Sequence, residues 1–394
     1  MFILKRVVIC ILTAASNLLL RYIGISRSLL PKTWEGVRPT LLKIIGVDYG
    51  AAFLLAETHQ FSKLGVSDNI AKVINADIAE GPVTVTNPSL LQETLTYFWF
   101  PRRNYELANA VFDPRCGLVL INGMVVIESS HTFPNPNLQS ANLVWRCRRV
   151  DKLDVTACSG IKWAYNYAHW LTEDLMSVLR IRKQFGDHVP FITPRILARF
   201  QVEALELLGV RRIETDYPVL CDKFLLAGQH QRSQASLRPT DISLLRSVFL
   251  PLAVGISQSR AVDLDIYVSR SKTKGERSFS DEEELERILA DSGFLVVHTQ
   301  DLEFSEEIAL FAKAKTIVGI TGSGLINHLW MPPGGKIVEI WITDYLDFSY
   351  LYSGPHLGLK YSLIDLRSEG GKTPAKKVWH KIRESLEEKS GVES

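Results

Sequence analysis

The chain has 394 residues, enough for two domains of ordinary size, and a formal net charge of +2. Its 46% hydrophobic and 22% charged residues are the composition of a packed globular protein rather than a disordered one. The near-neutral balance gives no global field for nucleic acid, and no aromatic-and-basic nucleic-acid module is present. The five cysteines, Cys10, Cys116, Cys147, Cys158 and Cys221, are scattered, and no pair has zinc-ligand spacing. No Asn-x-Ser/Thr acceptor occurs, because Asn87 is followed by Pro88. Both features fit a reducing compartment better than a secretory lumen.

Residues 1–25 form the one targeting-like segment. Lys5 and Arg6 precede an uncharged run from Val7 to Leu20, closed by Arg21. The run is shorter than the roughly 20 apolar residues of a spanning helix, and Thr13, Ser16 and Asn17 interrupt it. Three readings stay open. It is an interfacial helix with basic flanks toward anionic head groups, a signal peptide with Ala14-Ala15-Ser16 near its cleavage site, or a buried helix.

From Gly81 the texture is one of short extended runs. Val83 to Thr86 reads as a strand, and Gly117 to Ile127 as a hairpin with Asn122-Gly123 at its turn. After Val155 helix and strand alternate. The pattern predicts an amphipathic helix over Trp170–Phe185, a strand over Val189–Thr193 and a helix over Arg195–Leu208, ended by Gly209. It continues with a strand at Phe224–Ala227 and a helix at Thr240–Leu250, stopped by Pro251. This is the rhythm of an open α/β domain.

Ala253 to Asp263 links to a second α/β unit. Ile266 to Ser269 is its first strand. A helix at Ser280–Ala290 follows, with Ser280 and Glu283 as a capping box. Phe294 to Val297 is a strand, and Phe304 to Lys313 a helix capped by Ser305. Thr316 to Trp341 is then strand, glycine turn, short helix and strand, a βαβ unit. Tyr361 to Ile364 is a last strand, and Pro374 to Lys389 a charged amphipathic helix.

Three stretches carry chemistry-bearing residues. The turn with Gly319, Thr321, Gly322, Ser323 and Gly324 lets backbone approach a ligand closely, and the helix start beyond it offers N–H groups to an anion. Glu339, on the next strand, is placed to accept from ribose hydroxyls. The plain alternative is a tight turn whose glycines serve packing. The second stretch is Asn166 to Asp174. There His169 and Glu173 share a helix face, and a histidine oriented by a carboxylate is a workable general base. The plain alternative is an N-terminal turn capped by Asn166. The third is Ser269-Arg270 with Lys272, Lys274 and Arg277, past a strand end. Arginines there can grip a diphosphate, though a solvated basic loop has the same pattern. Asp263-Leu264-Asp265 precedes a strand and reads as chance, and Glu282-Glu283-Glu284 as a solvated helix face.

In order and spacing these stretches resemble glycosyltransferase family 61, a group with bacterial capsule and polysaccharide members. The resemblance spans about Lys162 to Ile340. It rests on Asn166-Tyr167-Ala168-His169-Trp170-Leu171 with Glu173, on Ser269-Arg270 with Arg277, and on Gly319, Gly322, Gly324, Leu325 and Asn327 followed by Pro333-Gly334 and Glu339-Ile340. Two positions depart from the family pattern. Thr321 stands where a histidine is usual, and Glu307 where a glutamine is usual.

The resemblance implies an α/β, GT-B-like architecture of two Rossmann-like domains facing across a cleft. An acceptor domain would occupy 26–255 and a nucleotide-sugar domain 256–366, with a charged helix and tail over 367–394. It implies an inverting transferase with a nucleotide-sugar cosubstrate, UDP-linked by expectation, and no metal or other cofactor. The roles it carries over are His169 as base with Glu173 behind it, and Asn166 and Trp170 toward the acceptor. Arg270, Arg277, Thr321, Gly322, Ser323, Gly324, Asn327 and Glu339 would hold the donor. The acceptor would be a polysaccharide or lipid-linked glycan at the cytoplasmic membrane face, with residues 1–25 as peripheral contact. A glutamate facing the donor would repel a diphosphate, which keeps open a non-catalytic nucleotide-sugar or glycan binder of the same fold. A Rossmann oxidoreductase is the third reading, and the missing Gly-x-Gly-x-x-Gly counts against it.

Overall fold

The structure is a computed structural model. It describes residues 71–76, 83–86, 94–97, 103–114, 117–121, 124–126, 151–158, 166–227, 237–254, 263–273, 279–343, 349–369 and 372–387. The segment 1–25, Lys274 and Arg277 lie outside the described residues, as does the Asn122-Gly123 turn.

The first sheet is mixed. Its strands are β1 (Ala71–Ala76), β4 (Arg103–Asp113), β5 (Leu118–Ile121), β6 (Met124–Val125), β7 (Asp151–Cys158), β8 (Phe191–Thr193), β9 (Arg212–Glu214) and β10 (Val219–Ala227). Strands β2 (Val83–Thr86) and β3 (Thr94–Tyr97) pair apart from it. The order is β6-β5-β4-β10-β7-β8-β9, with β1 beside β4. From β10 to β9 the pairing is parallel, whereas β4, β5, β6 and β1 pair antiparallel. This unit is therefore not the plain parallel Rossmann sheet expected. Its long antiparallel strand β4 alternates buried residues such as Tyr105, Leu107 and Phe112 with more exposed ones.

Helix α1 runs without a break from Tyr167–His169 through a π-wound turn, Trp170–Asp174, into Leu175–Phe185. It starts three residues earlier than the hydrophobic period suggests. Helices α2 (Arg199–Leu207) and α3 (Pro239–Val254) complete the unit. Pro251 does not stop α3: it lies inside the helix, near its end, where its missing N–H forfeits a single hydrogen bond.

The second sheet is wholly parallel. Strands β11 (Leu264–Val268), β12 (Leu295–Val297), β13 (Ala314–Ile320), β14 (Lys336–Trp341) and β15 (Lys360–Asp365) lie in the order β12-β11-β13-β14-β15. Numbered within the unit this is 2-1-3-4-5, the doubly wound order in which the sense of strand addition reverses between its first and third strands. Helices α4 (Glu282–Asp291), α5 (Phe304–Phe311), α6 (Ser349–His356) and α7 (Ala375–Glu387) connect and cover the sheet. Ser280 does not cap α4. Asp281 holds the cap position, and its carboxylate accepts the Ala375 N–H at 2.8 Å, tying α7 back onto α4. Nor does Ser305 cap α5. Glu306 accepts the Glu303 N–H at 2.9 Å, and Glu203 of α2 accepts the Phe304 N–H at 2.8 Å.

One hydrophobic core joins the two sheets. Trp170 of α1, Phe249 of α3, Phe304 of α5 and Trp330 meet edge to face, with ring centroids 5.4–6.4 Å apart. Arg246 of α3 adds a polar tie, donating from Nη1 to the Leu329 and Met331 carbonyls at 2.5 and 2.9 Å.

Candidate functional site

In a sheet of this order the ligand crevice lies outside the carboxyl ends of the strands that flank the reversal. Here those are β11 and β13. Strand β11 ends in Val268 and delivers Ser269-Arg270, and β13 ends in Ile320 and delivers Thr321 to Gly324. The sequence thus placed two of its three stretches at one topological point.

Gly319 and Gly324 are glycines because β11 runs past them. A Cβ on Gly319 would come within 3.1 Å of the Val268 carbonyl oxygen, and one on Gly324 within 2.8 Å of Val268 Cγ1. Gly322 is different, since a Cβ there would stand where the Arg270 guanidinium now lies. The arginine head is packed on the bare backbone of the turn. The backbone N–H of Arg270 is fixed by Glu282, whose carboxylate accepts it at 2.6 Å. Glu282 also accepts the Tyr267 hydroxyl at 3.1 Å, and burial pushes its carboxyl above the usual range. Glu282 is therefore no solvated face. Its spacing to Leu285 and Leu289 was the signal that sets it on the buried side of α4. Lys272, from the same loop, pairs outward with Asp301 at 2.5 Å.

After the turn the chain winds tightly, as a 3₁₀ run over Ser323–Trp330 rather than an α-helix. Tyr350 of α6 donates to the Gly322 carbonyl at 2.7 Å and steadies the turn from behind.

Thr321 and Glu339 are not exposed to a ligand. Thr321 is 3% exposed and donates to Glu339 Oε1 at 2.8 Å. Glu339 has no exposed surface, and its Oε2 accepts the Tyr361 hydroxyl at 2.6 Å. Both residues brace β13 against β14 beneath the turn, so a ribose contact through Glu339 is not available in this arrangement. The cause is register: Glu339 pairs with Gly319 inside the ladder, short of the strand end.

The Asn166–Asp174 stretch meets the turn from the other sheet. Asn166 Oδ1 caps α1 by accepting the His169 N–H at 3.2 Å and also accepts the Ser323 hydroxyl at 3.3 Å. Tyr167 donates to Asn327 Oδ1 at 3.1 Å. His169 Nδ1 lies 2.7 Å from Glu173 Oε1, with both side chains largely covered. Glu173 sits within the π turn, where the Leu175 N–H reaches back to the Trp170 carbonyl. Such turns recur at functional sites because they re-aim a few side chains within an otherwise regular helix. Trp170, expected to face an acceptor, is 1% exposed and packs edge-on against Phe200 and Phe304.

Glu307 does not face a donor either. It is 4% exposed, takes a hydrogen bond from Asn327 Nδ2 and engages the Tyr167 hydroxyl. Burial pushes its carboxyl up to about 8.

Across residues 167–338 the chain matches the family model described as Glycosyltransferase 61. This segment is a family 61 glycosyltransferase domain. It opens at the first residue of α1 and closes within β14, so the family 61 domain takes in both halves of the site and the core between the sheets. No curated protein matches the chain. Among the described residues, no group of three or more His, Cys, Asp or Glu side chains is arranged to hold a metal ion, and no helix is long and apolar enough to cross a membrane.

Proposed function

We propose that this family 61 domain transfers a sugar, with inversion, from a nucleoside-diphosphate donor to a glycan acceptor, in a GT-B-like arrangement of its two units. One observation carries the reading: the His169 turn is bonded onto the glycine turn, through Asn166 to Ser323 and Tyr167 to Asn327. A base from one unit and an anion-receiving backbone from the other therefore share one site.

The acceptor hydroxyl gives its proton to His169 Nε2, whose Nδ1–H is held by Glu173. The freed oxygen attacks the anomeric carbon from the face opposite the leaving group. The bond between that carbon and the phosphate oxygen breaks, and the nucleoside diphosphate departs with the electron pair. Its developing charge is met by Arg270 and the N–H groups of the turn at Ser323 and Gly324. Arg277 is the expected second cation and UDP the expected nucleotide, with a hexose or pentose as cargo. A polysaccharide or lipid-linked acceptor, reached at the cytoplasmic membrane face through residues 1–25, completes the proposal.

Calorimetry on the full chain tests it, with UDP, GDP, CMP, TDP and NAD, each without and with a divalent ion. The expected result is binding of one nucleoside diphosphate, lost in Arg270→Ala. Binding of none moves the assignment to a non-catalytic glycan-binding member of the fold. That reading draws on Thr321, which is spent on Glu339 and brings no cation to the turn.

A further inference from the structure

The glycine turn is gripped from behind by a side chain with almost no surface of its own. Tyr350 of α6 is 2% exposed, and its hydroxyl donates to the Gly322 carbonyl at 2.7 Å. The same carbonyl accepts the Leu325 N–H at 3.0 Å, the first bond of the 3₁₀ run. Both lone pairs of the oxygen are then in use. The Leu325 bond holds the carbonyl along the run, and the Tyr350 bond keeps it from turning about that direction.

A peptide unit is planar and trans, so a carbonyl and the N–H of the next residue point in opposite directions. With the Gly322 oxygen drawn in toward α6, the Ser323 N–H is turned away from α6. Gly322 and Leu325 are buried, whereas Ser323 and Gly324 keep exposed surface, so this is the open side of the turn. Ser323 is the first residue of the run, and its N–H is one of the orphan donors of a helix start. Gly322 has no side chain to restrain its own ψ, so contacts on its carbonyl set the aim of that donor. The Tyr350 ring is itself fixed. It stands edge-on to His328, with centroids 5.5 Å apart, and His328 Nε2 lies 2.7 Å from the Ser353 hydroxyl one turn along α6.

We propose that Tyr350 is a positioning residue for the donor, locking the Gly322–Ser323 peptide plane so that the Ser323 N–H meets the diphosphate. This rests on the reading of the turn as the diphosphate site. A donor fixed in advance needs no reorganisation as charge develops on the phosphate oxygens, which is how such groups lower a barrier. Tyr350 touches neither phosphate nor sugar and acts through the backbone alone.

The test is calorimetric titration of the full chain with inorganic pyrophosphate, without a divalent ion. The proteins are wild type, Tyr350→Phe, Ser323→Ala, Ser323→Pro and the variant carrying both Y350F and S323P. Phenylalanine keeps the ring against His328 and removes the hydroxyl alone, and the Gly322 carbonyl retains Leu325. Proline is tolerated at the first helical position, where the N–H it lacks has no intrahelical partner, so S323P deletes the aimed donor. S323A loses the hydroxyl that reaches Asn166 but keeps the N–H, and is the reference for S323P. Y350F should bind pyrophosphate about three- to tenfold more weakly than wild type, and S323P about tenfold more weakly than S323A. Adding Y350F to S323P should weaken binding no further, because the donor that Tyr350 aims is already gone. Wild-type affinity in Y350F overturns the proposal. An equal fold loss from Y350F with and without S323P also overturns it, since a merely loosened fold would give that. A wild type that does not bind pyrophosphate overturns it too, because no anion then meets the donor. Pyrophosphate carries neither nucleoside nor sugar, so a chain that transfers nothing still gives the expected result. A working transferase whose Y350F variant binds as wild type does loses the Tyr350 assignment alone.

Discussion

His169 Nδ1 stands 2.7 Å from Glu173 Oε1, four residues on along a helix that is π-wound between them. The pair fixes which imidazole nitrogen keeps its lone pair, since a carboxylate at Nδ1 holds the proton there and leaves Nε2 to accept one. Replacing His169 by Ala should lower turnover by about 10²–10⁴ while nucleotide affinity by calorimetry stays within a few-fold, because general-base loss acts on the transition state. Glu173→Gln should fall between wild type and H169A, since an amide presents either an acceptor or a donor to Nδ1 and no longer selects the tautomer. Equal turnover in wild type and H169A would remove His169 from the reaction and leave Asp174 and other carboxylates of the first unit to be tried.

Gly322 and Gly324 are two residues apart and should fail in different ways. Gly324→Ala drives a methyl into Val268 Cγ1, inside the packing of β11, where nothing can yield cheaply. It should cost about 1–3 kcal/mol of stability in urea unfolding, with donor affinity lost only as the fold loosens. Gly322→Ala meets the far end of a flexible side chain, the Arg270 head, which can swing aside. Its melting temperature should stay close to wild type while nucleoside-diphosphate affinity drops about tenfold or more, the worth of one charge-assisted contact. If G322A binds as wild type does, Arg270 does not act from its present place on the turn.

Much of this site is legible in the sequence. The glycine spacing and the Ser269-Arg270 pair lay next to strand ends, and a strand end in a parallel sheet is where ligands gather, so local pattern and global topology agreed. The Asn166 cap and the His169–Glu173 pair followed from helical spacing alone. What was not legible depends on neighbours distant in sequence. Trp170 reads as an aromatic beside a candidate base, and only Phe200 and Phe304 turn it into core. Glu339 reads as a strand-end acid, and only its pairing with Gly319 and the reach of Tyr361 bury it. Glu307 invites the idea of a charge near a donor, and only Tyr167 and Asn327 show it to be an internal acid. Caps failed for the same reason. Ser280 and Ser305 satisfy a local rule, whereas Asp281 and Glu203 answer to Ala375 and Phe304 across the fold.

His328 gives the fold a pH dependence of its own. It is wholly buried behind the glycine turn, with Nδ1 2.9 Å from the Leu325 carbonyl and Nε2 2.7 Å from the Ser353 hydroxyl. Burial lowers it from 6.5 to about 4, against the pull of the Leu325 carbonyl, and the Arg246 charge adds to the lowering. The neutral ring donates from Nδ1 and accepts at Nε2, so Ser353 shares its hydroxyl proton between His328 and the Ser349 carbonyl at 2.6 Å. A histidine depressed on folding binds its proton first in the unfolded chain. Between about 6.5 and 4 the unfolded state therefore gains on the folded one, and stability present above 6.5 is lost as pH falls. The loss should approach on the order of 3 kcal/mol at the acid end. Carboxylates also titrate toward the acid end of this range, so the informative quantity is the difference between wild type and His328→Gln in urea unfolding from pH 7 to pH 4.5. That variant is expected to be less stable than wild type at pH 7, through poorer packing against Tyr350, and to close the gap steadily as the pH falls. A gap of constant size would mean that His328 takes up its proton as readily in the folded chain as in the unfolded one.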